Sequence, residues 1–367
     1  MLRKFFKTAG KRLWLKKLFW HINGLLQKPE VAAHNKLKVF GIFNDSHGNH
    51  IELLSGLRDS LKPGWQSMLR PAKGPVAVPS RGRLAGKVEE WRNRMNGVEN
   101  FLGVFSSSFV GKDILEIGAH DGATAYALAS FGANRVLATD MAAYYITQTP
   151  GGVVSEDAIT AKNTDMTRLR SSYAKVVNEK VASLVSFQED DICASSVPSQ
   201  SVDVLVSWEV LEHLTRPQDA FREMARILKP GGLAFHEYNP FFSLDGGHSL
   251  CTLDFPWGHA RLDDRDFERY LAKMRPHEKA VALSFYRNNL NRMTLFQLTH
   301  YMEQAGLSLQ SVLPWCSRGH LTLVTSEVLS QCKCVHPTAK LIDLITPIVW
   351  VLFTKDGNSV ESVAPPV

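Results

Sequence analysis

The segment 113–140, DILEIGAHDGATAYALASFGANRVLATD, has a glycine turn and acidic residues at spacings typical of nucleotide-binding sites. Gly118 and Gly122 follow an apolar run, and glycine lets a backbone approach a bound ligand closely. Asp140 ends the next apolar run, 22 residues after Gly118. This is the usual separation for a carboxylate that accepts hydrogen bonds from ribose hydroxyls. These residues predict a cofactor site at the ends of two neighbouring strands.

The turn differs from that of a dinucleotide site, where three closely spaced glycines place backbone amides against a pyrophosphate. Here Glu116 precedes the glycines and Asp121 lies between them. Two carboxylates would repel two phosphates, so the turn favours a cofactor with a cationic amino acid end. His120 also stands inside the turn, where a side chain restricts the backbone more than glycine does.

Four motifs occur in order between residues 112 and 239: DILEIGAHDG, LATD, FQEDDI, and the long run VDVLVSWEVLEHLTRPQDAFREMARILKPGG. Together they resemble the class I S-adenosylmethionine-dependent methyltransferase family, in its type 11 branch. The resemblance covers a little over one third of the chain and implies an S-adenosyl-L-methionine cofactor. It implies that Asp140 binds the ribose and that Asp191, with Asp190 as the alternative, contacts the adenine amino group. The family often has glycine where this chain has His120.

The motifs and this resemblance imply a set of cofactor-binding residues at the ends of successive strands. They are Glu116, Gly118, Ala119, His120, Gly122, Asp140, Met141, Asp190, Asp191, Ile192, Ser207 and Trp208. Two structural alternatives stay open at this stage. The glycines would also serve close packing of a strand on a helix, and Asp140 would also serve as a helix cap.

Catalysis of methyl transfer requires an aligned acceptor, and a hydroxyl acceptor also requires a base. The candidate bases are histidines and one glutamate near strand ends or in the segment that follows them, namely His213, His236, Glu237, His248 and His259. We predict His213, His248 and His259 as the catalytic residues. The aromatic surroundings of the last two favour an acceptor that is a small molecule, a glycan or a lipid-linked intermediate, with O-methylation preferred.

Metal-ligand residue types are present without a diagnostic spacing. Asp245, His248, Asp254 and His259 lie in one segment, but nothing in the sequence determines their mutual distances. The Cys332–Cys334 pair has no second pair of cysteines or histidines beside it, and tetrahedral sites need more ligands. The sequence therefore predicts no metal site.

The elements that position these residues alternate between apolar strands and amphipathic helices. Strands are predicted at 113–118, 135–140, 181–190, 202–210 and 232–239. This alternation predicts an α/β fold, a doubly wound and mostly parallel sheet of the Rossmann-like methyltransferase type with helices on both faces. Residues 141–180 exceed what such a sheet needs and are expected to form an excursion with its own helix.

We predict six segments along the chain. They are a basic amphipathic segment at 1–30, an N-terminal extension with a Pro/Gly-rich loop at 31–110, a cofactor-binding core at 111–240, an acceptor-site insertion at 241–300, a C-terminal completion of the sheet at 301–355, and a disordered tail at 356–367. The completion includes a strand at 346–355, which Pro347 places at an edge of the sheet or limits to the strand's first residue.

Charge and cysteine content restrict the partners and the compartment. The net charge is +6, but residues 1–30 contribute +7, so the rest of the chain has no basic excess. Nucleic acid is therefore a poor candidate partner. Five irregularly spaced cysteines favour a reducing cytoplasm.

The N-terminal segment leaves two interpretations. Residues 1–28 are cationic and apolar, which suits either peripheral contact with the cytoplasmic face of a membrane or a helix packed on the domain. Two alternatives to an active methyltransferase also stay open, namely a non-catalytic S-adenosylmethionine-binding module and a nucleotide-dependent oxidoreductase. The oligomeric state is not indicated by the sequence.

Overall fold

The computed structural model describes residues 37–69 and 76–356, in which a two-stranded hairpin accompanies a seven-stranded sheet. The strands are β1 (Val39–Asn44), β2 (His50–Leu54), β3 (Asp113–Ile117), β4 (Arg135–Asp140), β5 (Val185–Glu189), β6 (Val202–Trp208), β7 (Leu228–Tyr238), β8 (Leu307–Trp315) and β9 (Ile348–Lys355). The sheet has the order β5-β4-β3-β6-β7-β9-β8. The strands from β5 to β7 are parallel, and β9 is antiparallel to both of its neighbours.

Helices cover both faces of this sheet and extend beyond it. They are α1 (Leu57–Leu61), α2 (Arg81–Val104), α3 (Ala123–Phe131), α4 (Ala142–Thr147), α5 (Glu156–Ala174), α6 (Glu179–Ser183), α7 (Pro217–Ile227), α8 (His248–Cys251), α9 (Gly258–Arg261), α10 (Asp264–Met274), α11 (Lys279–Asn288), α12 (Leu295–Gln304), α13 (Arg318–Leu323), α14 (Ser326–Val335) and α15 (Leu341–Ile345). Short 3₁₀ turns lie at Trp65–Leu69, Ile192–Ala194 and Leu211–His213.

The central strands are buried on both faces because successive side chains point to opposite sides. In β3, Ile114 packs in the cluster that includes Leu102 of α2 and Leu128 of α3. Its neighbour Leu115 packs in the opposite cluster, which includes Phe221 of α7. A strand that is apolar at consecutive positions is therefore what a sheet covered on both faces requires. The predicted doubly wound α/β fold is confirmed.

Four of the predicted elements differ in the structure. The strand predicted at 232–239 begins at Leu228 and ends at Tyr238. The third strand begins at Val185 rather than at residue 181, because residues 179–183 form α6 instead. The excursion after β4 contains three helices rather than one. Strand β9 lies between β7 and β8 in the interior of the sheet, so an edge position is wrong. Pro347 directly precedes β9, where its missing N–H removes no ladder hydrogen bond.

The segment after β7 does not form a lobe of its own. Its buried residues, such as Phe241 and Leu253, share one core with Phe43 of the hairpin and Cys332 of α14. The insertion, the N-terminal extension and part of the C-terminal segment are thus packed together beside the sheet. The amphipathic segment 1–30 and all but the first residue of the tail 356–367 lie outside the described residues.

Candidate functional site

A cavity of about 640 Å³ opens at the carboxyl ends of β3, β4 and β6. Strand order reverses between β3 and β6, so this is the place where a doubly wound sheet binds ligands. The predicted residues that line it are Glu116, Gly118, Ala119, His120, Asp140, Met141, Asp190, Asp191, Ile192, Trp208, His213 and His248. Gly122, Ser207 and His259, which were also predicted, are not among the lining residues.

The turn after β3 needs a left-handed backbone at three positions. Gly118 has φ 73°, and a Cβ there would lie 2.4 Å from Cγ2 of Val210. His120 has φ 43°, an uncommon value for a residue with a side chain. Gly122 has φ 85° and faces the ring of Phe187 rather than the cavity. The His120 side chain therefore does not prevent the turn, and Gly122 serves packing.

The carboxylate of Asp140 is held by groups from three parts of the chain. Its Oδ2 accepts hydrogen bonds from the His120 amide at 2.6 Å and from the Tyr145 hydroxyl at 2.9 Å. The guanidinium of Arg170, on α5, lies 3.4 Å from the same oxygen. The excursion after β4 thus orients the residue that was predicted to bind ribose. Neither Tyr145 nor Arg170 was singled out from the sequence.

Glu116 lines the cavity and is only 2% exposed. Burial, with the charges of Asp140 and Asp121 nearby, raises the pKa of Glu116 to about 8. One of its carboxyl oxygens, Oε2, has no hydrogen-bond partner among the described residues. A buried polar atom without a partner is costly, so a cationic or hydrogen-bonding group in the cavity would stabilise this carboxyl.

The two acids after β5 have different surroundings. Asp190 accepts hydrogen bonds from the Ser195 hydroxyl at 2.6 Å and from the Ser196 amide and hydroxyl at 2.8 and 2.7 Å. Asp191 accepts one from the Cys193 amide at 2.8 Å, and Arg216 lies 3.5 Å from its other oxygen. Asp190 therefore stabilises its own loop, whereas the carboxylate of Asp191 accepts fewer hydrogen bonds within the chain and can accept one from a ligand.

Of the two predicted residues at the end of β6, Trp208 lines the cavity and Ser207 does not. Ser207 is fully buried, and its hydroxyl lies 2.6 Å from Nδ1 of His236. This pair stabilises the interior of the sheet and does not reach the cavity. Trp208 lines the cavity and makes an edge contact with Trp91 of α2, with ring centroids 5.7 Å apart.

Two predicted catalytic histidines come together in the cavity wall. The ring centroids of His213 and His248 are 4.9 Å apart, although 34 residues separate them. His213 places Nδ1 2.6 Å from the carbonyl oxygen of Asn289, and burial lowers the pKa of His213 to about 4. Burial, followed by the neighbouring His213, holds the pKa of His248 well below its usual value. Burial therefore favours the neutral form of both rings.

His259 is placed outside the cavity. Its Nε2 lies 2.7 Å from the carbonyl oxygen of Phe241, and the side chain is buried in the core of the insertion. Asp254, which shares the segment, pairs with Arg275 at 2.7 Å. Asp245, His248, Asp254 and His259 therefore do not form one metal-ligand group among the described residues, in which the groups found are Glu212–His213–His248 and His47–Asp263–Asp266.

Helix α2 contributes lining residues that the sequence did not indicate, and all three are charged or aromatic. They are Lys87, Trp91 and Arg94. Lys87 forms an ion pair with Asp121 of the turn, and Arg94 forms one with Glu237 at the end of β7. The helical period of α2 was visible in the sequence. No sequence spacing, however, indicates that Lys87 would pair with Asp121.

The parallel strand order and the acid–glycine turn are similar to those of class I S-adenosylmethionine-dependent methyltransferase domains. A comparison with known families agrees, since residues 115–236 match the family model described as a methyltransferase domain. S-adenosylmethionine is the cofactor of this class, and the buried carboxyl of Glu116, which lacks a partner at Oε2, suits its amino acid end.

Curated relatives match short parts of this chain. An uncharacterized methyltransferase of Mycobacterium ulcerans is 37% identical over 85 residues, which is 23% of this chain and 33% of the relative. Another from Mycobacterium marinum is 42% identical over 70 residues, covering 19% and 27% of the two chains. The alignments thus span about a third or less of these relatives. An S-adenosylmethionine-dependent methyltransferase structure from Mesorhizobium loti is 12% identical, with a TM-score of 0.38 over 67% of this chain and 92% of that one.

Proposed function

We propose that this protein transfers a methyl group from S-adenosylmethionine to an oxygen of a small-molecule, glycan or lipid-linked acceptor. The observation that supports it most directly is the gathering of Glu116, Asp140 and Asp191 around one cavity at the switch point of the sheet. These acids end or follow three different strands, β3, β4 and β5, in a domain that matches the methyltransferase family. Bound S-adenosylmethionine supplies an electrophilic methyl group on a sulfonium sulfur.

Each acid has a distinct role in this proposal. Glu116 and the Gly118 turn bind the amino acid end, where the partnerless carboxyl oxygen accepts from an ammonium group. Asp140, oriented by Tyr145 and Arg170, binds the ribose hydroxyls. Asp191 binds the adenine, because Asp190 is already occupied by the hydrogen bonds of Ser195 and Ser196.

The acceptor is expected in the part of the cavity lined by His213, His248 and Asn289. Tyr144 lies against His213, with ring centroids 4.9 Å apart, and gives this part an aromatic wall. A neutral imidazole accepts a proton from a hydroxyl, which favours O-methylation. Residues 241–300 contribute His248 and Asn289 here, so we propose that this insertion shapes the acceptor site.

Cofactor binding is tested by isothermal titration of the full chain with S-adenosylhomocysteine and, separately, with NAD. Asp140→Asn is expected to weaken S-adenosylhomocysteine binding by at least tenfold, since it removes the charge that accepts from the ribose. Asp113→Asn is a matched control, because Asp113 begins β3 at the other end of the sheet and pairs with Arg135 at 3.1 Å. Binding of NAD alone, or equal affinities for both variants, would contradict the proposal.

Methyl transfer is tested separately with S-adenosylmethionine labelled in its methyl group. The full chain is incubated with fractions of a cell extract, and transfer of label to an alkali-stable product in the small-molecule, lipid or glycan fraction is expected. Label transfer to the nucleic-acid fraction would overturn the acceptor class. Binding without any transfer would leave the alternative of a cofactor-binding module.

A further inference from the structure

His213 and His248 line one wall of the cavity, and the buried side chain of Glu212 forms a cluster of metal-ligand groups with them. One potential ligand atom from each lies within 4.8 Å of those of the other two. Two imidazoles and one carboxylate, with open positions toward a cavity, are a ligand set for first-row transition metals such as zinc, iron and manganese. Metal bonds of about 2.1 Å then require side-chain adjustments on the order of 1 Å.

The hydrogen bond of His213 prepares its other nitrogen for a metal. A carbonyl oxygen only accepts, so Nδ1 of His213 must donate to the Asn289 oxygen at 2.6 Å. The proton is therefore on Nδ1, and Nε2 keeps its lone pair. A histidine whose second nitrogen donates to a backbone carbonyl is the usual arrangement of a metal ligand, because that bond sets the tautomer and the ring orientation.

Glu212 and His248 each have a buried atom that lacks a partner. Glu212 is 1% exposed, and its Oε1 accepts from the Asn239 amide at 3.2 Å. Its Oε2, like Nε2 of His248, has no hydrogen-bond partner in the described part of the chain. Both residues belong to the same cluster, and a cation bound by these two atoms would compensate the cost of burying them.

His248 has a strained, left-handed backbone conformation, and its ring lies beside that of His213 in the cluster. His248 has φ 51°, in the left-handed region that residues with side chains seldom adopt. Its ring packs against His213 at 4.9 Å and Phe285 at 6.0 Å between centroids. Tertiary packing thus holds an unfavourable conformation that brings the two imidazoles together.

We propose that Glu212, His213 and His248 bind one divalent transition-metal ion in the wall of the cavity. Its role rests on the proposed function: the ion binds the acceptor hydroxyl and lowers the pKa of that hydroxyl. The oxygen–hydrogen bond breaks, the electron pair stays on oxygen, and the proton passes to the carboxylate of Glu209, which replaces an imidazole as the base because the free imidazole nitrogens are then bound to the ion. Glu209 lines the same cavity and is exposed to it.

The test titrates the chelator-treated full chain with Co²⁺, followed by its visible absorption, and with Zn²⁺ by calorimetry. One ion per chain is expected at the cluster. Glu212→Gln keeps the acceptor for the Asn239 amide but removes the charge, and His248→Asn keeps a residue type that tolerates a positive φ. Each is expected to weaken binding at least tenfold, with an unchanged circular dichroism spectrum.

His47→Ala provides the matched control, because His47 belongs to a second group of metal-ligand residues with Asp263 and Asp266. This variant is expected to bind Co²⁺ at the cluster as the unmodified chain does. Absence of binding, equal affinity in Glu212→Gln and His248→Asn, or loss of binding in His47→Ala alone would overturn the metal site.

The same metal-free samples are also titrated with S-adenosylhomocysteine. If the chain binds S-adenosylhomocysteine but no metal ion, the metal site is refuted and the proposed function stays intact. If the chain binds the metal ion but not S-adenosylhomocysteine, the metal site is supported and the cofactor proposal is refuted.

Discussion

Replacing Arg170 with methionine would test whether the excursion after β4 holds the predicted ribose-binding acid. The guanidinium of Arg170 lies 3.4 Å from Oδ2 of Asp140, and its Nε donates to the His120 carbonyl at 3.1 Å. Both members of the ion pair are buried, with side chains 10% and 9% exposed. Methionine keeps most of the aliphatic volume and removes the charge.

The expected loss of stability is about 3 kcal/mol. Removing one partner of a buried ion pair costs roughly 3–5 kcal/mol, because the other charge is left without compensation. The value lies at the lower end because Asp140 keeps three hydrogen bonds, from Tyr145 and from the amides of His120 and Met141. S-adenosylhomocysteine affinity should also fall, since Asp140 loses part of its orientation.

Urea denaturation followed by circular dichroism measures the change in unfolding free energy, and calorimetry measures the affinity. Arg168→Met is the matched control, since Arg168 lies on the same helix and pairs with Asp165 at 3.1 Å on the surface. An exposed pair of this kind contributes about 0–1 kcal/mol. If both variants lost equal stability, or if Arg170→Met bound S-adenosylhomocysteine as tightly as the unmodified chain, the excursion would have no role in the site.

Three further perturbations follow from the site and the tail. Because burial raises the pKa of Glu116 from 4.5 to about 8, the folded chain binds the extra proton, and stability should fall as pH rises through this window. Glu116→Gln should therefore lose less stability between pH 5 and pH 8 than the unmodified chain, by about 3 kcal/mol in urea denaturation; parallel pH profiles would contradict this. His120→Gly should change the unfolding free energy by less than about 1 kcal/mol, because relief of the left-handed strain offsets the greater chain entropy of glycine. It should also weaken S-adenosylhomocysteine binding severalfold in calorimetry, since the His120 ring lines the cavity, and unchanged affinity would show that this ring makes no contact. Deletion of residues 1–28, which carry eight basic residues and no acidic one, should abolish co-sedimentation with anionic vesicles, and undiminished co-sedimentation would refute the membrane interpretation.

No described residue supplies a membrane-spanning segment, since none of the helices has both the length and the apolar character to cross a bilayer. The membrane interpretation concerns residues 1–28, which lie outside the described part of the chain. The deletion in the full chain addresses it directly.

The sequence by itself was sufficient to predict the parallel strands of the sheet, β3 to β7, and the turn after β3. The apolar runs of β3 and β4, which carry Glu116 and Asp140 near their ends, are local patterns, and the burial of each strand follows from its own residues. The same patterns failed at β9, because its position between β7 and β8 depends on pairing with strands more than 30 residues away.

Only the tertiary structure decided which chemically similar residues enter the cavity. His248 and His259 lie 11 residues apart in segments of similar composition, yet one reaches the cluster with His213 and the other bonds to a backbone carbonyl in the core. Likewise the ion pairs of Arg170 with Asp140 and of Lys87 with Asp121 join elements that no spacing relates. Periodicity determines which face of an element is buried, whereas contacts between distant side chains depend on how the packed elements lie against one another.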